Sequence, residues 1–88
     1  MISRNITICN SVGLHARPAT FFVQKANSFK SSIWVEKDDC RVNAKSLLGV
    51  LSLGITKGTE IKLIADGADE NGAIDGLAEL IDSEFGEK

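Results

Sequence analysis

The sequence predicts a two-layer α+β sandwich with element order βαββαβα. Apolar–polar alternation recurs at 5–9, 32–36 and 60–65, the period of half-buried strands. Apolar residues at helical spacing fill 16–28 and the stretch that follows 67–69. Gly, Asn, Asp and Ser punctuate the chain at short intervals, with no linker, repeat or low-complexity segment. A sheet with one apolar face and helices with one apolar stripe bury both by stacking. At 88 residues the chain accommodates one such domain, spanning 1–88.

The elements follow in order. Residues 5–9 form a strand with Ile6 and Ile8 inward, and 10–13 (Asn, Ser, Val, Gly) form a turn. A helix over 16–28 faces the core with Ala19, Phe22, Val23 and Ala26, and Pro18 falls in its first turn, where a missing N–H costs nothing. The second strand, 32–36, buries Ile33 and Val35; Lys37, Asp38 and Asp39 turn the chain into a short strand over 40–43. Ser46 has the profile of an N-cap before the apolar run 47–53. Gly54 and Gly58 bracket the exit to a fourth strand, 60–65, with Ile61, Leu63 and Ala65 inward. Asp69 and Glu70 suit the start of the last helix and its dipole. Ile74, Leu77, Leu80 and Ile81 form its stripe, and Phe85 closes it.

Composition removes several classes. Hydrophobic residues make up 43% and charged residues 25%, which fits a globular chain rather than a disordered one. No apolar run approaches the ~20 residues of a membrane span, and the N-terminal stretch lacks the apolar core of a signal peptide, so a cytoplasmic protein without membrane insertion is expected. Cys9 and Cys40 are then expected to be reduced thiols. Cys and His offer no metal-ligand cluster, and no metal or cofactor is expected. The net charge of −2 is divided unevenly: residues 1–65 carry nine Lys/Arg and four Asp/Glu, whereas 66–88 carry one Lys and eight acids. A basic first part suits an acidic partner surface.

The residues able to do chemistry sit at helix starts. His15 lies between a turn and the first helix, where free backbone N–H groups and the helix dipole attract anions, phosphate above all. The same field disfavours the imidazolium and keeps a ring nitrogen nucleophilic. Arg17 adds a fixed cation whose donor fork matches phosphate oxygens. An ordinary capping histidine is the competing reading. Ser46 reads first as a plain helix cap. The run after it is less ordinary. If Val50 and Leu53 face the sheet, then Leu47, Leu48 and Leu51 point elsewhere and offer an apolar patch beside a basic rim at Arg17 and Lys45. Phe21 and Trp34 fall outside the main apolar sets, as scattered surface residues or as partner contacts.

Two motifs carry a resemblance to a known family. Residues 13–19 (Gly, Leu, His, Ala, Arg, Pro, Ala) resemble the active-site motif of the HPr family, the histidine-containing phosphocarriers of the bacterial phosphoenolpyruvate-dependent sugar phosphotransferase system (PTS). Residues 43–54 resemble the family's second motif, around its regulatory serine, and 67–70 resemble the lead into its last helix. The resemblance implies an HPr-like open-faced β-sandwich, with a four-stranded antiparallel sheet covered on one face by three helices. It implies a bacterial phosphoprotein, a monomer and stoichiometric carrier rather than an enzyme, loaded on Nδ1 of His15 by enzyme I and unloaded onto enzyme IIA domains of sugar permeases. Arg17 would steady the phosphoryl group and Ser46 would be the target of HPr kinase/phosphorylase, with a transcriptional regulator as a further partner. Ala16, Thr20, Phe21, Lys45, Leu47, Leu48 and Leu51 would meet partners. Cys9 and Cys40 match no functional position of the family.

Rivals are weighed against specific features. The strand carrying Trp34 is similar to that of nitrogen-branch paralogues, so the branch stays open. A purely regulatory paralogue lacks the active histidine, and His15 opposes it. An acyl-carrier-like protein loaded on Ser46 would be all-helical, against the three alternating strands. A small hydrolase would need a water-positioning constellation that the sequence does not offer. A nucleic-acid-binding α+β domain would need paired strand aromatics, which are missing.

Overall fold

A computed structural model provides the three-dimensional structure, and residues 1–9, 13, 14 and 16–83 are described. The elements run β1 (Ile2–Thr7), α1 (Ala16–Asn27), β2 (Ser32–Lys37), β3 (Cys40–Asn43), α2 (Leu47–Ser52), β4 (Glu60–Asp66) and α3 (Glu70–Asp82). The four strands make one antiparallel sheet in the order β1-β4-β2-β3. Three helices cover one face. Between them and the sheet lies a single core built from Phe22 of α1, Ile33 and Val35 of β2, Val50 of α2, Leu63 of β4 and Leu77 of α3, each at most 1% exposed.

The expected strand at 5–9 is shifted, because β1 starts at Ile2 and ends at Thr7. All six residues pair with β4, from Ile2 opposite Ala65 to Thr7 opposite Glu60. Arg4 hides this pattern in the sequence. It stands opposite Leu63, on the helix-covered face, where alternation calls for an apolar residue. Its guanidinium reaches α3, where Nη2 donates to Asp75 Oδ1 at 2.7 Å. Ile8 is fully buried although it lies beyond the strand.

The β2–β3 hairpin closes with two residues. Lys37 pairs with Cys40, and Asp38 and Asp39 adopt φ of 49° and 67°. That is the geometry of a primed turn, which matches the sheet's twist and which Asp tolerates. On the open face, Ile64 is only 3% exposed, because Trp34 of β2 stands directly opposite it and Ser3 of β1 flanks its other side. Trp34 is thereby half-buried.

Asp69 does something other than cap α3 with its side chain. Its carboxylate accepts from the hydroxyl of Ser31, from the Lys30 amide at 2.8 Å and from the Ser31 amide at 2.9 Å. The turn between α1 and β2 is thus tied to the start of α3. These donors, the Ser31 hydroxyl first and the Lys30 amide next, hold the carboxyl at a pKa of about 2 instead of 3.8. In the unfolded chain the carboxyl protonates as pH falls through 3.8, whereas the native state resists until about 2. The stabilisation is therefore complete above the unfolded pKa and disappears as pH drops through this window. The melting-temperature difference between wild type and Asp69→Asn should be full above pH 3.8 and shrink toward pH 2 in thermal scans. A difference independent of pH would remove the charge from this tie. Phe85, expected to close the last helix, lies outside the described residues, as do positions 10–12 of the expected turn.

Candidate functional site

The chain leaving β1 is held by the loop between α2 and β4. The Ile8 amide donates to Thr59 O at 2.9 Å, and the Gly58 amide donates to Ile8 O at 2.7 Å. Further on, the Leu14 amide donates to Ile55 O at 3.0 Å. Leu14 is 3% exposed and joins the core, as does Ile55 at 2%. Gly13 makes this approach possible. Its φ is +64°, and a Cβ there would lie 2.5 Å from Ile55 O and 2.6 Å from Thr56 Cα. The two residues before His15 are therefore fixed from beneath, while His15 itself lies outside the described residues.

α1 begins immediately afterwards. Ala16 and Arg17 are exposed, and Pro18 and Ala19 turn into the core. No acidic residue lies in the first turn, so nothing in the helix itself neutralises the positive end of its dipole. The Arg17 guanidinium lies 6.0 Å from the ring centroid of Phe21, one turn along, and Phe21 is itself 36% exposed. Arg17 forms no ion pair with any described residue, so its charge is available to an incoming anion. The half-buried Thr20 donates its hydroxyl to Ala16 O at 2.7 Å, a bond that stays within the first turns.

Ser46 is the N-cap of α2. Its backbone is extended (φ −108°, ψ 116°) and its Oγ accepts from the Gly49 amide at 3.2 Å. Behind it, Val50 is fully buried and Leu53 nearly so. Leu51 is half-buried against the core, Leu47 is 38% exposed and Leu48 is 81% exposed. The exposed large apolar residues of α1 and α2 are thus Phe21, Leu47 and Leu48, on two helices that pack against each other. Lys45 is not part of an open basic rim. Its Nζ donates to Phe29 O at 2.8 Å, and its own carbonyl accepts from Asn27 Nδ2 at 3.3 Å.

These bonds fix the geometry. The start of α2 lies by the end of α1, and the chain after α2 returns to Gly13 and Leu14, so the two helices run antiparallel. Asn27 is roughly 16 Å along α1 from Ala16 at 1.5 Å per residue. Arg17 and the segment before His15 therefore occupy one end of α1, and Ser46 with Lys45 the other. The platform at 55–59, which supports the first end, carries no signature in sequence, because it acts through backbone carbonyls and amides. Cys9 and Cys40 are exposed and free. Among the described residues no group of three His, Cys, Asp or Glu could hold a metal ion. Nor is any of their helices long and apolar enough to cross a membrane.

An open antiparallel sheet with three helices on one face, and a clamped segment leading into the first helix, make an open-faced β-sandwich. Comparison with known proteins makes this specific. The family model PTS-HPr, described as the PTS HPr component phosphorylation site, matches residues 2–83. The phosphocarrier protein HPr of Neisseria meningitidis is 49% identical over 87 residues, covering 99% of this chain and 98% of that protein. The crystal structure of HPr from Thermoanaerobacter tengcongensis superposes with a TM-score of 0.97 at 55% identity, covering 100% of this chain and 99% of that one. The HPr-like protein Crh of Bacillus subtilis is 45% identical over 84 residues, covering 96% of this chain and 99% of that protein. The chain belongs to the HPr family of phosphotransferase-system phosphocarriers.

The clamp beneath residues 13 and 14 yields a test. Gly13→Ala places a methyl group against the Ile55 carbonyl and forces a left-handed backbone on alanine, at a cost above ~1 kcal/mol. Leu14→Ala removes a core side chain, at about 2–5 kcal/mol. Denaturant unfolding should show both losses. A Gly13→Ala protein as stable as wild type would mean that the segment is not held against Ile55.

Proposed function

We propose that this chain is a cytoplasmic, monomeric phosphocarrier, one domain over 1–88, that accepts a phosphoryl group on His15 from phospho-enzyme I and passes it to enzyme IIA domains in sugar uptake. The observation that carries the reading is the unneutralised start of α1 beside the clamped residues 13 and 14, with Arg17 exposed and unpaired among the described residues. An unprotonated Nδ1 of His15 attacks phosphorus in line. A new N–P bond forms as the N–P bond to the donor histidine breaks, and the electron pair stays on the donor ring. The group then leaves by the same step in reverse onto the acceptor histidine. Such transfer is mainly positioning and charge stabilisation, so the carrier supplies little beyond a presented nitrogen, the free amides of the helix start and the Arg17 guanidinium. It is consumed and regenerated in each cycle and is no enzyme.

Phe21, Leu47 and Leu48 supply an apolar docking surface, with Ala16 and Thr20 near the transfer point and Leu51 and Lys45 behind. Ser46 would be the regulatory site, phosphorylated by HPr kinase/phosphorylase and read in that form by a transcriptional regulator. Its distance from the α1 start means that a phosphate there acts on docking rather than on the nitrogen. About two negative charges beside Leu47 and Leu48 would repel an acidic partner surface. A purely regulatory role like that of Crh is disfavoured by the presence of His15.

Incubation with enzyme I and phosphoenolpyruvate should add one acid-labile, base-stable phosphoryl group, and His15→Ala should take none. Equal labelling of that variant would overturn the assignment. Arg17→Ala should raise the transfer barrier by about 2–3 kcal/mol while the melting temperature holds. Ser46→Asp should slow acceptance by raising the KM of enzyme I for the carrier. Unchanged kinetics for Ser46→Asp would leave Ser46 as a helix cap only.

A further inference from the structure

We propose that Lys37 is a positioning residue for phosphoryl acceptance, acting on the segment before His15 through the loop that follows α2. The inference rests on the functional reading above and adds a residue to it. Lys37 is the last residue of β2, paired with Cys40 and followed at once by the two-residue turn of Asp38 and Asp39. A turn this short leaves its backbone no slack. From that fixed point its Nζ donates to Leu53 O at 3.0 Å and lies 3.4 Å from Gly54 O. These carbonyls close the C-terminal end of α2, whose last turn holds no basic residue of its own, so the ammonium group also meets the negative end of the helix.

The next residue is the one that matters to the site. Ile55 O accepts the Leu14 amide, and Ile55 O with Thr56 Cα forms the surface on which Gly13 rests. Leu53 and Ile55 are both anchored in the core. Between them, Gly54 sits at φ +60° with nothing within 4 Å of an added Cβ. Gly54 is therefore the joint at which the Ile55 carbonyl could rotate. The peptide before it is held from two sides, by the Lys37 ammonium at Leu53 O and by the Gly54 amide, which donates to Leu51 O at 3.2 Å. With the ammonium removed, the Gly54 amide on Leu51 O and the Thr56 amide on Thr59 Oγ1 at 3.2 Å still bracket the joint. The acceptor for Leu14 gains play between them, and with it the segment that leads to His15. Asp38 and Asp39 follow Lys37 in sequence, but no ion pair joins Lys37 to any described carboxylate.

The test compares full-length wild type, Lys37→Met and Lys37→Arg. In Lys37→Met the Leu14 amide should exchange with solvent about tenfold faster, the factor expected for one lost bond to a charged donor, while β4 amides keep their protection. With enzyme I and phosphoenolpyruvate, kcat should fall about three- to tenfold with KM changed less than about twofold, since the approach of the nitrogen is affected and docking is not. Lys37→Arg, which keeps charge and donors, should restore both readings. Unchanged Leu14 exchange in Lys37→Met overturns the proposal. So does equal acceleration of Leu14 and β4 amides, which marks a loss of global stability, and so does a rise in KM at constant kcat, which marks a docking role. Should Lys37→Met fail to fold, Lys37→Gln carries the same readings. If wild type takes no phosphoryl group, the functional reading fails by itself, and Leu14 exchange still decides whether Lys37 holds the segment.

Discussion

The approach of Gly13 and Leu14 to Ile55 and Thr56 is the constraint on which the site depends. One backbone bond of 3.0 Å and one glycine in a left-handed conformation set where the chain enters α1. Everything that gives this contact its precision is built elsewhere. Leu14 and Ile55 are locked in the same core, and β4 carries the loop's far end into the middle of the sheet. The loop holds the chain on both sides of residues 10–12, through Ile8 on one side and Leu14 on the other. A carrier must present one nitrogen to successive partners in the same pose. The hold on Gly13 and Leu14, immediately before His15, sets the entry into α1 on a buried scaffold.

Charge is arranged around this scaffold rather than within it. The core among the described residues is apolar, and the tight polar contacts lie at element ends: Asp69 with Ser31 and Lys30, Lys45 with Phe29 O, Lys37 with Leu53 O. Each ties the end of one element to a neighbouring segment. The exposed Arg4–Asp75 pair contributes little stability by comparison, since surface pairs are screened. Its use is to let a charged residue occupy an inward position on the edge strand. Arg17, free of carboxylates among the described residues, is the exposed cation at the start of α1.

Much of the fold was legible in sequence. The period of two at 32–36 and 60–65 and the stripes of α1 and α3 located the core, because those residues are buried by the rule that creates the pattern. The start of β1 was not legible, since Arg4 breaks the alternation and its compensating partner is 71 residues away. Ile64 reads as outward-facing, yet Trp34 on a neighbouring strand covers it. At the candidate site, residue type at helix starts singles out His15, Arg17 and Ser46 but leaves an ordinary cap as the competing reading for His15 and Ser46. The committed state of Lys45 and the roles of Lys37 and Ile55 are invisible there, because they rest on carbonyl oxygens, which every residue possesses. The resemblance to the HPr family, now shown over 2–83, supplied the antiparallel pairing of the four strands and the three helices on one face, which the local patterns did not give.

The central proposal is that the scaffold holding Gly13 and Leu14 presents His15 for phosphorylation and would not repack when the group arrives. Amide chemical shifts of the free and fully phosphorylated protein test this directly. The account predicts large changes confined to residues 13–21 and to the supporting residues 54–56, with β2, β4 and α3 unmoved. Comparable changes spread through the sheet and α3 would contradict it, because they would mean that loading the group repacks the fold.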